Sequence, residues 1–374
     1  MKLKSKINQY ATKLGIDKIG ITTTDDFSRL RDFLYKMREK EFLSKFVKKD
    51  LELITDPKEV LSNAKSVIVC AISYQVDDVY ITESKEKTTK ELRGKLSRFA
   101  WGQDYHHVLG KKLDKLVQFL QREEENLKAK TFVDTGPTID RALARRAGIG
   151  WQGKNCSIIN PEYGSWIFIG GIITNLDLEI DQPIEDQCGD CRKCLDACPT
   201  GALKAPYTLD SRKCLGYLTL KRGYIDRDNR KKFGTRLWGC DTCQEVCPSN
   251  QEVEIGDHKE FRPQKLAAYP KLPQLLSLTK SEYRDKFGPT PMNWRGKRPI
   301  QRNAAIILGN LGDKEAVPYL IEALEDPKPI VRAHAAWALA EIGDGSVVDD
   351  LKKVLVKEKE ERVKEEVQEA INQF

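Results

Sequence analysis

Apolar residues return at helical spacing over Lys4–Leu14 and Phe27–Lys40, which predicts two amphipathic helices near the N-terminus. The unbroken apolar run Ser66–Ser73, SVIVCAIS, predicts a strand covered on both faces. Over Tyr105–Leu127, Val108, Leu109, Leu113, Leu116, Val117 and Leu120 share one side of a long helix. A short strand, Lys130–Val133, runs straight into Asp134-Thr-Gly-Pro137. Thr138 or Asp134 can cap a helix over Ile139–Ala147, and Gly148 suits the C′ position that ends it. A glycine-rich turn, Gly150–Asn155, and two strands, Cys156–Ile159 and Trp166–Thr174, complete the segment.

Beyond residue 180 the pattern changes. Residues 181–255 show little apolar periodicity, and 256–296 form a proline-bearing connector with short helices. From 297 onward the chain repeats itself. Ala304-Ala305, Leu308 and Gly312-Asp313 return thirty-one residues later as Ala335-Ala336, Leu339 and Gly343-Asp344. Val317, Leu320 and Leu324 return as Val348, Leu351 and Leu355. Helix pairs broken at Gly-Asp read as HEAT-like repeats, with Arg362–Ile371 as a partial third copy capping the stack. An ordinary helical bundle would impose no such fixed offset. The expected architecture is therefore a multidomain α+β or α/β chain: an α/β domain over 1–180, a second domain over 181–255, the connector, and helical repeats over 297–374.

A length of 374 residues accommodates two or three such domains. The composition, 40% hydrophobic and 32% charged, is that of a globular protein and excludes a disordered or fibrous class. No run of 18 apolar residues is present, and the basic N-terminus lacks an apolar signal core, so a cytoplasmic location with no membrane contact is expected. In that compartment cysteines seldom form structural disulfides, and ten of them need another account.

Eight of the ten fall between residues 188 and 247. Cys188, Cys191, Cys194 and Cys198, with Pro199 after them, reproduce the C-x2-C-x2-C-x3-C-P run of bacterial ferredoxins, whose fourth thiolate serves the other cluster. The second run, Cys240, Cys243 and Cys247 before Pro248, is one ligand short, and Cys214 can supply it. Two [4Fe-4S] clusters follow: Cys188, Cys191, Cys194 and Cys247 for one, Cys198, Cys214, Cys240 and Cys243 for the other. Two zinc sites of four cysteines are the competing reading; the third cysteine at two-residue spacing and the proline after each closing cysteine disfavour it. Cys70 reads as a buried strand thiol, and Cys156 as a packing residue in a turn.

The net charge of +7 is too small to mark a nucleic-acid binder, but its placement is informative. Lys221, Arg222 and Tyr224 precede a run holding Arg227, Arg230, Lys231, Lys232 and Arg236, and Arg295, Lys297, Arg298 and Arg302 lie where the repeats begin. Basic clusters hold phosphates, and an interleaved Tyr can stack on an unpaired base, so RNA contact is expected here.

Several motifs together resemble one family, the epoxyqueuosine reductases. They are Ser97-Arg98-Phe-Ala, Asp104-Tyr105-His106, Val133-Asp134-Thr-Gly-Pro137, Arg141-Ala-Leu-Ala with Gly148, Gly150-Trp151-Gln-Gly153-Lys154-Asn155, Gly164-Ser165-Trp166, Tyr217-Leu218-Thr219, the eight cysteines and the repeats. The chain departs from the family's usual residues at Cys156, Gly216 and Ser249. The resemblance implies a cobalamin-dependent iron–sulfur enzyme that reduces epoxyqueuosine to queuosine at the wobble nucleotide of tRNA, the last step of queuosine biosynthesis. It implies base-off cobalamin, reduced to cob(I)alamin through the two clusters by an external low-potential donor, in a monomer that takes the tRNA anticodon stem-loop. Arg98, Tyr105, Asp134, Gly153, Lys154, Asn155 and Ser157, backbone at Ile158 and Ile169, and Gly216, Cys240 and Asp241 are the expected cobalamin contacts. Asp134 is the expected proton donor, its pKa raised by the low-dielectric surroundings of a corrin; the bland alternative is a helix N-cap. His106 and His107 are expected to be helix-start residues without a cobalt role. Two other readings fit parts of the pattern: a corrinoid reductase acting on a free small molecule, as a dehalogenase does, and a non-catalytic electron-transfer scaffold.

Overall fold

The computed structural model describes residues 2–77, 91–263 and 266–374. They form two compact units. The first comprises Met1–Val76, Gln103–Cys214 and Thr242–Phe261; the second comprises Asp77–Gly102, Leu215–Asp241 and Arg262–Phe374. Compactness thus divides the cysteine-bearing segment, with Cys240 in the second unit and the other seven of the 188–247 group in the first.

In the first unit the elements in chain order are α1 (Leu3–Lys13), β1 (Lys18–Thr23), α2 (Ser28–Glu39), β2 (Ser66–Ser73), α3 (Tyr105–Glu123), β3 (Ala129–Val133), α4 (Asp140–Arg146), the short pair β4 (Trp151–Gln152) and β5 (Ile158–Ile159), and β6 (Ile167–Thr174). The sheet runs β1-β2-β6-β3, and every neighbouring pair is antiparallel. An antiparallel sheet makes this an α+β unit, and the α/β alternative is corrected. The strand β1 has no forerunner in the sequence reading. Its burial is confined to Gly20, Ile21 and Thr22, too short a pattern to stand out.

All eight residues of β2 are buried, because β1 and β6 flank it in the sheet and apolar side chains cover both faces. Val67, Val69, Ala71 and Ile173 share one cluster with Phe132, Leu143, Ala144, Ala147 and Ile158. Cys70 lies inside the sheet, and burial pushes its thiol up to about 12. It is inert packing, as its sequence context suggests.

The second unit is built on repeats. Helices α5 (Lys297–Leu311), α6 (Val317–Ala323), α7 (Pro329–Ile342), α8 (Val348–Lys357) and α9 (Glu361–Ile371) follow in order. Gly312 and Gly343 end α5 and α7 at φ 67° and 73°, the left-handed cap that glycine reaches without a Cβ penalty. Asp313 and Asp344 then cap the next turns, accepting from the N–H of Glu315 and Ser346. Each Gly-Asp is thus a stop followed by a start, which explains its recurrence at one offset.

Several expected surface cations turn out to build this unit. Arg302 is fully buried, and its guanidinium donates to the carbonyls of Lys221, Gly223, Leu218 and Thr219 and to Asn303 Oδ1. Burial pushes its pKa down to about 9. Arg230 is buried in a two-pronged pair with Glu366, which Arg227 also reaches. These bonds correct the expectation that Arg227, Arg230 and Arg302 belong to a solvent-facing basic rim.

Candidate active site and cysteine centre

Helix α3 opens at the rim of the sheet. Asp104 is its N-cap, accepting the His106 N–H at 3.0 Å. The same carboxylate oxygen stands 2.7 Å from His106 Nδ1, so Asp104 fixes both the backbone and the ring. Tyr105 stacks on Phe168 of β6, centroids 4.1 Å apart, which aims its hydroxyl beyond the sheet. Strand β3 ends alongside, and the chain turns at Asp134 with φ 50°. A left-handed backbone costs a residue with a Cβ about 1–2 kcal/mol. Asp140 offsets that cost: its Oδ2 accepts the Asp134 N–H at 2.7 Å, and its Oδ1 accepts the Thr138 hydroxyl at 2.6 Å.

That arrangement corrects the expected cap. Helix α4 starts at Asp140 with no side-chain cap on Ile139, and neither Thr138 nor Asp134 caps it. Instead Asp140 holds the loop that presents Asp134. Gly148 does occupy the left-handed exit of α4, at φ 71°.

Three groups converge on Asp134. The Tyr105 hydroxyl donates to Oδ2 at 2.8 Å. His106 Nε2 stands 3.6 Å from the same oxygen, an ionic contact beyond hydrogen-bond length, and is buried without a hydrogen-bond partner. Arg141 adds positive charge. The Asp134 side chain is nevertheless 63% exposed, so these contacts leave it open to solvent.

The protonation pattern follows. Burial alone would raise the Asp134 pKa, but His106 and Tyr105, then the charges of His106 and Arg141, outweigh it and hold the carboxyl below its ordinary range. The expectation of a raised Asp134 pKa is corrected: the aspartate stands ionised here, because the sequence does not reveal that a cation lies beside it. Burial alone would lower His106, but its bond to Asp104 and contact with Asp134 push it up to about 9. Asp140 goes the other way. Burial, against the Thr138 hydrogen bond and with the Asp134 charge, pushes it up to about 7.

The glycine-rich turn serves the cysteines. The backbone N–H of Lys154 favours the Cys188 thiolate, and Lys154 Nζ donates to the carbonyls of Gly189 and Cys191. Asn155 accepts the Ser157 N–H and donates to the Cys243 carbonyl at 3.3 Å. Gly153 N–H is spent on the Ser157 carbonyl. Ile158 is buried in the core cluster, and Ile169 pairs with Ala71 inside the sheet. Of the expected cobalamin contacts in this unit, Tyr105 and Asp134 come together, while Lys154 and Asn155 fasten the turn to the cysteine segment.

Cys188, Cys194 and Cys247 lie within electrostatic reach of one another, three of the four thiols assigned to one cluster. The Cys198 thiol, despite burial, is pulled below its ordinary pKa by the N–H groups of Leu203, Thr200 and Ala202 and the Thr200 hydroxyl. Thiolate is the ligating form. Among the described residues no three His, Cys, Asp or Glu side chains converge tightly enough for one metal ion; a cubane takes one thiolate at each iron corner instead.

In the second unit, Asp241 is buried and accepts the Ser97 hydroxyl and, at 2.8 Å, the Arg98 N–H. Gly216 lies in the short helix Leu215–Leu218. Among the expected RNA contacts, Lys231 pairs with Glu341 and Arg298 with Asp326, each at 2.9 Å, while Lys297 donates to the Leu278 carbonyl and Arg236 to that of Phe233. The Tyr224 ring carries the Arg362 guanidinium at 4.0 Å and lies near-parallel to His334. Lys221 gives its carbonyl to Arg302. Arg222 is exposed and lowers the pKa of Arg295, as burial also does. Arg295 stacks at 3.5 Å on Trp294, which is 54% exposed. Trp294 escaped the sequence reading, although an aromatic next to an arginine in Asn293-Trp-Arg295 is a usable signal. His106 and Asp140 escaped as well; only their neighbours in space give them a role.

Comparison with known proteins agrees with this anatomy. Residues 55–135 match the family described as epoxyqueuosine reductase QueG, DUF1730; 187–250 match a 4Fe-4S double cluster binding domain; 296–372 match HEAT repeats. The epoxyqueuosine reductase of Bacillus subtilis (strain 168) is 44% identical over 99% of this chain and 95% of its own length. That of Escherichia coli (strain K12) is 33% identical over 91% and 89%. Among solved structures, an epoxyqueuosine reductase with a tRNA-Tyr epoxyqueuosine-modified stem loop superposes with a TM-score of 0.93 at 43% identity, covering 99% of this chain and 98% of that one. A Bacillus subtilis structure with its Asp134 catalytic loop swung out of the active site gives 0.94 at 43% identity, covering 100% and 99%. A double-cluster domain in a chain with an α+β unit and HEAT repeats defines an iron–sulfur oxidoreductase. The chain belongs to the epoxyqueuosine reductase family. Among the described residues no helix is long and apolar enough to cross a membrane.

Proposed function

We propose that this chain reduces epoxyqueuosine to queuosine at the wobble position of tRNA, using cobalamin and two [4Fe-4S] clusters, with Asp134 as the proton donor. The observation that carries the reading is the Asp134 lip: a carboxylate held at φ 50° by Asp140, backed by Tyr105 and His106, and open on one side. The family's substrate supplies the reaction; the relative whose structure includes a modified tRNA stem loop supports the RNA, and the one whose Asp134 catalytic loop is swung out of the active site supports the acid.

The residues present fit both cofactors. For the clusters, the neighbouring cysteines Cys188, Cys194 and Cys247 and the amide-cradled Cys198 form a sulfur donor set. Cys188, Cys191, Cys194 and Cys247 would hold one cluster, and Cys198, Cys214, Cys240 and Cys243 the other. For the corrin, Asp134 offers an exposed carboxylate beside the Tyr105 hydroxyl and the His106 ring, a polar edge for the cofactor and its substrate. Tyr105 and Asp134 would border it, with Gly153, Ser157, Ile158 and Ile169 offering backbone; Arg98, Gly216, Cys240 and Asp241 are further proposed contacts on the strength of the family resemblance. When bound, cobalamin supplies the electrons that break the carbon–oxygen bond of the epoxide.

The chain's own residues do the rest. Asp104 orients His106; Tyr105 and His106 orient Asp134; Asp140 keeps the lip in its left-handed turn. Asp134, once protonated, places that proton on the oxygen released from carbon. For the RNA, Arg222, Arg295 and Trp294 support phosphate and base contact, because two crowded guanidiniums favour an added anion and the indole face is exposed. Lys221, Lys231, Arg236, Lys297 and Arg298 contribute charge from positions already bonded within the protein. The domains proposed remain 1–180, 181–255, 256–296 and 297–374. A monomer in the cytoplasm completes the reading.

The test is anaerobic reconstitution with iron, sulfide, cobalamin and a low-potential reductant, scoring epoxide loss. Turnover on an epoxyqueuosine anticodon stem-loop, with affinity falling as salt rises, is expected. Equal turnover on the free nucleoside and no salt response would favour a small-molecule reductase.

A further inference from the structure

Conversion of an epoxide to an alkene consumes two electrons and two protons and releases one water. Asp134 holds at most one proton, so a single acid completes half of the proton delivery before it must be reloaded. The structure shows what stands behind it. His106 Nδ1 is bound to Asp104 Oδ1 at 2.7 Å, and Nε2 faces Asp134 Oδ2 at 3.6 Å, buried and without a hydrogen-bond partner. A ring fixed on one nitrogen by a carboxylate and facing an acid with the other stands where its proton can follow once a developing alkoxide draws on that acid.

We propose that His106 is the residue that loads Asp134, moving the proton on its Nε2 to the Asp134 carboxylate, from which it reaches the substrate oxygen. The inference rests on the reading of Asp134 as donor and extends it. In the resting arrangement the His106–Asp134 pair carries one proton on the imidazole, and the two residues form an ion contact. As the carbon–oxygen bond breaks, the imidazolium N–H bond breaks and an O–H bond forms on Asp134 Oδ2. That proton passes to the alkoxide left by ring opening. The neutral imidazole takes up a proton from solvent and repeats the transfer, and the second proton leaves with the hydroxyl oxygen as water. The two electrons come from the reductase chemistry and reduce the carbon framework; a second proton taken up from solvent restores the imidazolium, so the imidazole and carboxylate end unchanged.

The groups facing His106 set its charge. Asp104, Tyr105 and His107 come from its own helix, with His107 79% exposed and its Nδ1 3.9 Å from Asp104 Oδ2. Asp134, Asp140 and Arg141 come from the lip. The two nearest carboxylates push the imidazole up to about 9 against the opposing effect of burial, so it is charged at neutral pH. His106 acts through Asp134 and is a positioning and proton-supplying residue.

Two measurements test it. In the protein without added cofactors, nitrogen-15 histidine spectra should show His106 titrating well above the ordinary value near 6.5, the signal being identified by its loss in His106→Gln. Asp104→Asn and Asp134→Asn should each move it down. In the reconstituted holoenzyme, His106→Gln should lower kcat on the order of 10²-fold with KM within about twofold, and remove the alkaline limb of the kcat profile. Added imidazole should restore part of the rate. An ordinary His106 titration, or full kcat with an unchanged pH profile in His106→Gln, overturns the proposal. If His106→Gln is fully active while Asp134→Asn is dead, only the loading role falls. If Asp134→Asn turns over normally, the donor reading falls and takes the loading role with it.

Discussion

The Asp134 lip and the Arg302–Arg230 interior of the repeats use the same kinds of residue to opposite ends. In the repeats, buried charge is bonded to completion. Arg302 spends its donors on four carbonyls and Asn303, Asn303 donates to the Thr219 and Leu237 carbonyls, and Arg230 grips Glu366 with two nitrogens. At the lip, the backbone is left-handed, a histidine nitrogen is buried without a hydrogen-bond partner, and the acid it faces is open. Completed networks rigidify; incomplete ones are poised to react. A polar group's satisfaction, more than its burial, separates scaffold from chemistry in this chain.

The sharpest way to break that comparison is to exchange the effects of mutation between the two regions. Asp134→Asn should cut turnover about 10²- to 10⁴-fold, with the denaturation midpoint nearly unchanged. Glu366→Ala should do the reverse, destabilising the chain by about 3–5 kcal/mol in equilibrium denaturation, because it leaves Arg230 buried without its carboxylate. A large stability loss at Asp134, or none at Glu366, would erase the distinction.

Much of the scaffold was legible in the sequence, and the reasons are local. The Gly-Asp pairs at 312–313 and 343–344 are a stop signal and a start signal written side by side, so no tertiary knowledge is needed to read them. The run Ser66–Ser73 announces a covered strand by apolarity alone. By contrast, β1 carries only three buried residues, and strand direction depends on pairing partners far along the chain. Arg302 and Arg230 read as surface cations because nothing in Arg-Asn-Ala-Ala or Asp-Asn-Arg says that carbonyls or Glu366 will enclose them. At the site, Asp134 was visible through its motif, but its charge state was not. The proton moves from an expected acid to His106 because Asp104, at the cap, turns the ring toward it.

Smaller effects sharpen the contrast further. Asp140→Ala removes the acceptor for the Asp134 N–H, so hydrogen exchange at 134–139 should accelerate and turnover should fall about tenfold, with repeat stability untouched. The pH response carries a sign as well. His106 has a folded pKa raised to about 9, so its stabilising contribution is complete below its ordinary value of 6.5 and is lost as pH rises through 9. Wild type and His106→Gln should therefore converge in stability over that window in pH-dependent melts. Smallest of all, Asp344→Ala removes one cap at an exposed turn and should lower the thermal denaturation midpoint slightly, with full activity retained.

The most direct test is a single-turnover assay of the anaerobically reconstituted protein on an epoxyqueuosine stem-loop, comparing wild type with Asp134→Asn while cobalamin occupancy is read by absorbance in the same samples. Equal occupancy, conversion by wild type and no conversion by the variant is the predicted result. Conversion at the wild-type rate by Asp134→Asn, or a wild-type protein that binds cobalamin and leaves the epoxide intact, would contradict the account.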